Sequence, residues 1–412
     1  MSDRVSQPGA LILGGSHGSL EIARSLGRRG IPVWFVTSDN PLPRLSRYVQ
    51  HKFSWPGPDR DGAVSYLVDL ARRHDLRGWV LFAGGDAEVR FIAQNHAALA
   101  AAFTLTTPSW DTVRWAIDKK NMNVRAAELG LAQPLSRYPS SRDDLASLGI
   151  RFPMIVKPTM SEGRNAFVDA KAWRVDNPHA LAARYDKAAA LVGADRIMVQ
   201  ELIPGDGHTQ LSYAAVWDRG ASIGSLTARR LRQYPVDFGF TSTFVETCEL
   251  PEIEQAASRF LQSIDYSGLV EIEFKYDARY GSYKILDVNT RTWTWIALGA
   301  AAGVDFGFMQ WQLALGRSVA RTRGRSGVTW RYLSRDLAVA ALEMFAGTVS
   351  PADCLRSLRH APAAAVLAWD DPLPAVLDLP LVATRVAARR LSFISSAARS
   401  QWPARTASAS RR

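Results

Sequence analysis

Four polar side chains on two facing β-rich runs are the residues of this sequence best placed to do chemistry. The runs Leu269 to Tyr276 and Tyr283 to Asn289 flank the turn-like Asp277-Ala278-Arg279-Tyr280-Gly281-Ser282. A loop symmetric about Tyr280 sets Glu273 opposite Asp287 and Glu271 opposite Asn289. One face then carries Val270, Ile272, Phe274, Tyr276, Leu286 and Val288. The other gathers the three carboxylates and the amide. Carboxylates facing each other across a ladder repel, so a cation among them is the natural complement. All the donors are oxygens, with no imidazole or thiolate beside them, which favours Mg2+ or Mn2+ over zinc. Magnesium held by few carboxylates completes its shell with phosphate oxygens, so a nucleotide is expected. The competing reading is a solvated acidic face, and a register slip of one residue would remove the argument.

Cations suited to phosphate lie elsewhere in the chain. Lys157 ends the apolar run Phe152-Pro153-Met154-Ile155-Val156, and the polar turn Thr159 to Ala166 that follows could fold backbone N–H groups over an anion. Lys119, next to Asp118, reads as late in a helix over Asp111 to Leu129 that ends at Gly130. Arg229, Arg230 and Arg232 follow the strand-like Ser222 to Thr227, and arginine's planar fork suits phosphate or carboxylate. Taken singly, each of these is as well read as a solvated surface cation.

The elements that must position these groups begin with a βαβ unit. Ala10 to Leu13 is strand-like, Gly14-Gly15-Ser16-His17-Gly18 is a turn, a helix carries Leu20, Ala23 and Leu26, and Ile31 to Val36 is a second strand, which implies a parallel sheet. A further strand, Trp79 to Ala83, leads into Gly84-Gly85-Asp86, the usual place for a ligand-facing loop. The first glycine turn lacks the GxGxxG spacing, and Asp39 does not supply the missing part of a nicotinamide fingerprint. The turn serves a substrate or simply tight packing. Ile197 to Gly205, Leu211 to Val216 and Ser222 to Thr227 read as strands and Glu252 to Ile264 as a helix; beyond Arg321 the pattern is helical and alanine-rich.

The 412 residues are too many for one compact core. Two distant cysteines, Cys248 and Cys354, argue against a disulfide scaffold or zinc site, and with no secretory signal they point to the cytoplasm. The net charge of +11 is concentrated: from Leu381 onward there are seven arginines and no acid. No nucleic-acid fold signature accompanies them, so no nucleic-acid partner is expected. The tail reads as solvated and partly disordered, or as a basic segment for peripheral contact with anionic lipid.

In order, Asp118-Lys119, PMIVKP, VQELIPG, TARRLRQYP and the pair VEIEFKYD/ILDVNTR resemble the ATP-grasp superfamily, specifically its carboxylate–amine ligases of the D-aspartate ligase-like kind. The resemblance runs from about Trp115 to Leu315. It implies an α/β architecture: a parallel-sheet pre-ATP-grasp domain over 1–110, a two-lobed α+β ATP-grasp fold over 111–320 with a lid lobe at about 150–203, a helical region over 321–380, and the basic tail over 381–412. It also implies ATP with Mg2+ or Mn2+, and a small-molecule carboxylate and amine as substrates, the acceptor being of amino-acid or amino-sugar type. Lys119 and Lys157 would contact phosphates, with Ser161 and Gly163 in the loop over them. Gln200, Glu201 and Leu202 would form the adenine hinge and His208 the ribose position. Arg230 and Arg291 would serve the transferring phosphoryl group and the activated carboxylate. Glu273, Asp287 and Asn289 would bind the metal. Three features depart from the family pattern: Asp287 stands where Glu is common, the phosphate loop is poor in glycine, and His208, near Asp206, replaces the usual acid. Trp293 and Trp295 read as core aromatics, or as walls of an acceptor site. An NAD-dependent oxidoreductase built on the βαβ unit, or a non-catalytic ATP-binding scaffold, would leave the acidic hairpin or the chemistry unused.

Overall fold

The computed structural model describes residues 7–38, 40–160, 165–205, 209–234, 241–345 and 362–384. The expectations on Asp39, Ser161, Gly163, Asp206, His208, Cys354 and the tail from 385 onward therefore lie outside the described residues.

Three sheets organise the described residues. The first holds five parallel strands in the order His51–Ser54, Val33–Thr37, Ala10–Leu13, Val80–Ala83, Thr104–Leu105. Its strands are apolar on both faces because helices cover both: Ile12, Phe35 and Phe82 pack with the helix His17–Gly27, while Leu11, Val36 and Leu81 pack with Ala63–Arg73 and Asp86–Gln94. The strand order reverses between Ala10–Leu13 and Val80–Ala83, so their following loops open a crevice there.

The second sheet is built on antiparallel neighbours: Ser282–Asn289, Gly268–Asp277, Gln210–Asp218, Ala221–Tyr234 and Thr241–Cys248. Tyr213, Trp217, Ile272 and Phe274 on one face bury against the helices Lys119–Glu128 and Pro251–Ser263. The third sheet, in the order Ser136–Arg137, Ile197–Glu201, Met154–Pro158, Trp173–Val175, has its own core with the helix Pro178–Val192.

Several sequence expectations need correction. The helix expected over Asp111 to Leu129 is two, Trp110–Ile117 and Lys119–Glu128. Asp118 leaves helical geometry (φ −90°, ψ 113°), and its carboxylate accepts from the Lys120 and Asn121 N–H groups, an N-cap that starts a new helix. Arg229, Arg230 and Arg232 do not follow a strand; they lie within the long strand Ala221–Tyr234. The expected helices beyond Arg321 are present, at Leu333–Phe345 and through 373–384, but short strands accompany them. Thr329–Arg331 and Ala363–Ala364 extend the large sheet. Trp293 and Trp295 are both core residues.

Candidate functional site

The hairpin register places Glu273 opposite Asp287 and Glu271 opposite Asn289, as expected, but not through a symmetric loop. At the turn the partners are Asp277 and Ser282, one residue out of that register, and a bulge between Glu273 and Phe274 restores it. The same bulge corrects the apolar face. Ile285, not Leu286, is buried in the core, and Leu286 lines the cavity above the acids.

That cavity, of about 210 Å3, lies between the second and third sheets. Lys157 and Gln200 reach it from the small sheet, Glu273, Asp287 and Asn289 from the hairpin, and Lys119 from the start of its helix. Asp118 thus has a positional consequence: the break brings the Lys119 N–H to the Thr159 carbonyl (2.9 Å) and its ammonium to Asp287 (3.3 Å). The strand arginines separate by environment. Arg229 pairs with Glu246 at the surface and Arg232 with buried Asp336, whereas Arg230 turns to the site. There it donates to Gln210 (2.8 Å) and Gln233 (3.0 Å) and stands 3.6 Å from Glu273. A bulge between Arg230 and Arg232 lets them leave the strand on opposite faces.

The electrostatics show a site prepared for anions. Burial, then repulsion from Lys119, lowers the Lys157 pKa to about 8. Lys119 is also buried, which works against its charge, but Asp287, Asp86 and Glu273 outweigh this and hold its pKa up. Burial pushes Asp287 up, yet Lys119, Lys157 and Lys171 hold its carboxyl below the usual range. Glu271 behaves differently. Burial and the neighbouring Glu273 raise it to about 7, and its oxygens accept from Ser212 (2.8 Å) and from the Asn289 amide (2.9 Å). Glu271 is therefore a support for Asn289, whose own oxygen accepts from Arg291 (3.1 Å).

The donor set fits magnesium. Glu273 and Asp287 offer carboxylate oxygens and Asn289 an amide oxygen. Among the described residues no group of three or more His, Cys, Asp or Glu forms a self-sufficient cage. That is the donor chemistry of an ion completed by phosphate oxygens and water.

Glu201 is placed otherwise than its sequence position suggested. Its carboxylate is taken up by Lys284 (2.5 Å), Arg279 (2.9 Å) and the Leu135 N–H (2.9 Å). Burial opposes its charge, but these partners hold its pKa low. The Leu202 N–H donates to the Pro153 carbonyl (3.3 Å). Ile155 and Ile203 form the apolar wall of the cavity on this side.

A second cavity, of about 750 Å3, adjoins the first and shares Asp86, Val168 and Arg291 with it. It occupies the crevice of the parallel sheet, between the Gly15-to-Gly18 and Gly84-Gly85 loops. Asp86 accepts from Arg291 (2.7 Å), joining the N-terminal sheet to the hairpin. The glycine turn itself is a packing device. Gly14 and Gly15 have φ +67° and +82°, and a Cβ would meet Glu88 at 2.3 Å or Ser19 at 2.3 Å. Sequence reasoning missed Lys171 and Gln210, which line the first cavity without belonging to any motif, and Lys275, which lines it from within VEIEFKYD but was given no role.

Residues 239–322, which include the hairpin, match the family of the carbamoyl-phosphate synthase L chain, ATP binding domain. The D-aspartate ligase of Enterococcus faecium is 23% identical over 304 residues, spanning 68% of this chain and 70% of the ligase. Among solved structures, the L-amino acid ligase of Bacillus licheniformis superposes with a TM-score of 0.62 at 16% identity, over 79% of this chain and 80% of that one. Carboxyaminoimidazole ribonucleotide synthase from Aspergillus clavatus, solved with ATP, gives 0.60 at 14% identity, over 79% and 81%. A biotin carboxylase domain from Hydrogenobacter thermophilus, solved with MgADP and bicarbonate, gives 0.61 at 14% identity, over 78% and 73%. These structures share the fold, and the chain is similar to an ATP-binding domain family over residues 239–322 and to a D-aspartate ligase over most of its length.

Proposed function

We propose that this enzyme uses MgATP to activate a small carboxylate as an acyl phosphate and transfers the acyl group to an amine, forming an amide and releasing ADP and phosphate. The observation that carries this reading is one cavity in which Lys119 and Lys157 meet the two facing carboxylates Glu273 and Asp287, with Arg230 3.6 Å from Glu273.

A carboxylate is a poor electrophile. Its oxygen attacks the γ-phosphorus, the bond to the bridging oxygen of ADP breaks, and the carbonyl gains phosphate as a leaving group. The amine nitrogen then attacks the carbonyl carbon, the carbon–oxygen bond to phosphate breaks, and the nitrogen gives up a proton. In this reading Lys119 and Lys157 neutralise the phosphate oxygens, and Arg230 meets the charge that builds on the transferring group. Arg291, at the junction of the two cavities, orients the carboxylate. Glu273, Asp287 and Asn289 hold magnesium or manganese, which supplies charge neutralisation at the phosphates. The wall around Gln200 to Leu202 receives adenine. Ser161, Gly163 and His208 are assigned to phosphate and ribose on the sequence pattern alone. The small sheet, about 150–203, closes over the nucleotide and excludes water from the acyl phosphate. The preceding sheet, about 1–110, supplies the larger cavity for the carboxylate and for an amine of amino-acid or amino-sugar type.

The test is ADP release measured over pairs of amino acids and other small amines and carboxylates. ADP should form only when a matching carboxylate, an amine and divalent metal are all present, with the amide found by mass spectrometry. ADP formed without amide, or no ADP together with no heat on MgATP injection, would refute the proposal.

A further inference from the structure

The segment 367–384 reverses the usual distribution of polar and apolar residues. Its acids Asp371 and Asp378 are 1% and 3% exposed, while Trp369 is 92%, Val376 69%, Leu379 60% and Leu373 49% exposed. Looseness does not explain this, because the acids fasten the segment down. Asp371 accepts from Arg24 (2.9 Å) and from the Ser46 hydroxyl (2.8 Å), and Asp378 accepts from the Tyr332 hydroxyl (2.7 Å). Asp370, partly exposed, is neutralised by the Arg28 fork at 2.7 and 3.0 Å and by the Tyr48 hydroxyl. Leu373, Val376 and Leu379 recur at three-residue spacing along the helix through 373–384, so they share one face. The neighbouring helix Leu333–Phe345 shows the same tendency: Ser334 lies 3.5 Å from Asp378, and Leu333 and Leu337 are also exposed.

Charge decides between possible occupants of this face. Residues 385–412, which follow the helix directly, contain seven arginines and no acid. A second copy would bring the same arginines against these, and like charges repel. An anionic surface that also accepts apolar side chains is complementary on both counts. Tryptophan and leucine seat at the boundary between headgroups and acyl chains, and arginines are drawn to the negative leaflet.

We propose that the exposed apolar face of residues 367–384 docks the enzyme on an anionic lipid membrane without crossing it. Among the described residues no helix is long and apolar enough to span a bilayer, so the contact is peripheral.

The test is co-sedimentation of the full chain with vesicles of phosphatidylcholine alone and of phosphatidylcholine with phosphatidylglycerol, at low and high salt. The expected result is pelleting with the phosphatidylglycerol vesicles only, reversed by high salt. The combined Trp369→Ser, Val376→Ser, Leu379→Ser variant should bind them at least ~10-fold more weakly, since binding scales with the apolar area seated in the interface. Its ADP release should be unchanged. The salt series on the unaltered protein tests the proposal even if the variant folds poorly. Absence of pelleting, equal pelleting with both vesicle types, or a variant that binds as well as the parent would overturn it. So would a parent that is dimeric by light scattering and a variant that is monomeric, since the face would then be buried in a second copy.

Discussion

Replacing Lys157 with methionine should stabilise the protein while removing most of its activity. The side chain is 8% exposed, and burial with the nearby Lys119 lowers its pKa from 10.5 to about 8. At about 1.4 kcal/mol for each tenfold change in proton affinity, holding that ammonium charged costs the folded state about 3 kcal/mol. The sign follows from proton counting. Below pH 8 the lysine is charged whether the chain is folded or not, so the full penalty applies. Between pH 8 and 10.5 the folded form releases the proton first, and the penalty fades. Methionine keeps most of the stem and lacks the charge. Lys157→Met should therefore raise the thermal midpoint at pH 7, with the difference from the parent shrinking towards pH 10.5. The same substitution should lower kcat/KM for MgATP about 10²- to 10³-fold, the usual consequence of losing one preorganised donor at a charged transition state. In the parent, kcat/KM for MgATP should fall as pH rises through about 8, where Lys157 loses its proton. The assays are differential scanning fluorimetry across pH and coupled ADP release. A variant that loses midpoint and activity together would show Lys157 to be structural, and one that retains activity would remove it from the phosphate site.

Three further outcomes test the rest of the site and its support. Glu273→Gln should weaken magnesium dependence strongly, whereas Glu271→Gln should leave the metal titration nearly unchanged, because the Glu271 oxygens are taken up by Ser212 and the Asn289 amide and its proton affinity is raised; equal effects would refute this division. Asp118→Ala should cost about 1 kcal/mol in stability through the lost cap and raise KM for ATP by loosening Lys119, as read by melting and steady-state kinetics. A normal KM would separate the cap from the site. Asp371→Ala should cost about 3–5 kcal/mol because it leaves Arg24 buried without its carboxylate; urea unfolding with a loss under 1 kcal/mol would show that the pair is not needed.

Much of the site was legible because its signals are local. Alternation along Leu269 to Tyr276 separates apolar from acidic residues whatever lies around them. The facing of Glu273 and Asp287 was expected for an incomplete reason, since the register depends on a bulge that the turn residues do not announce. Asp118 carried its own signal, an N-cap residue before a run of helix formers, hidden because the apolar spacing on either side is continuous. The family resemblance singled out Arg230, but the residue pattern could not separate it from Arg229 and Arg232, since their partners, Glu246 and Asp336, lie 17 and 104 residues away in the chain.

The amino-acid sequence by itself determined the kinds of donor available, the alternation that puts acids on one face of a hairpin, and the βαβ unit that begins the chain, because each depends on neighbours a few residues apart. The tertiary structure alone decided the rest. It set the burial that lowers Lys157, the raised proton affinity of Glu271, the consumption of Glu201 by Lys284 and Arg279, and the junction of two cavities at Asp86 and Arg291. The physical reason is that proton affinity and pairing follow distance and desolvation in space, and these groups come from three sheets whose approach no local pattern encodes.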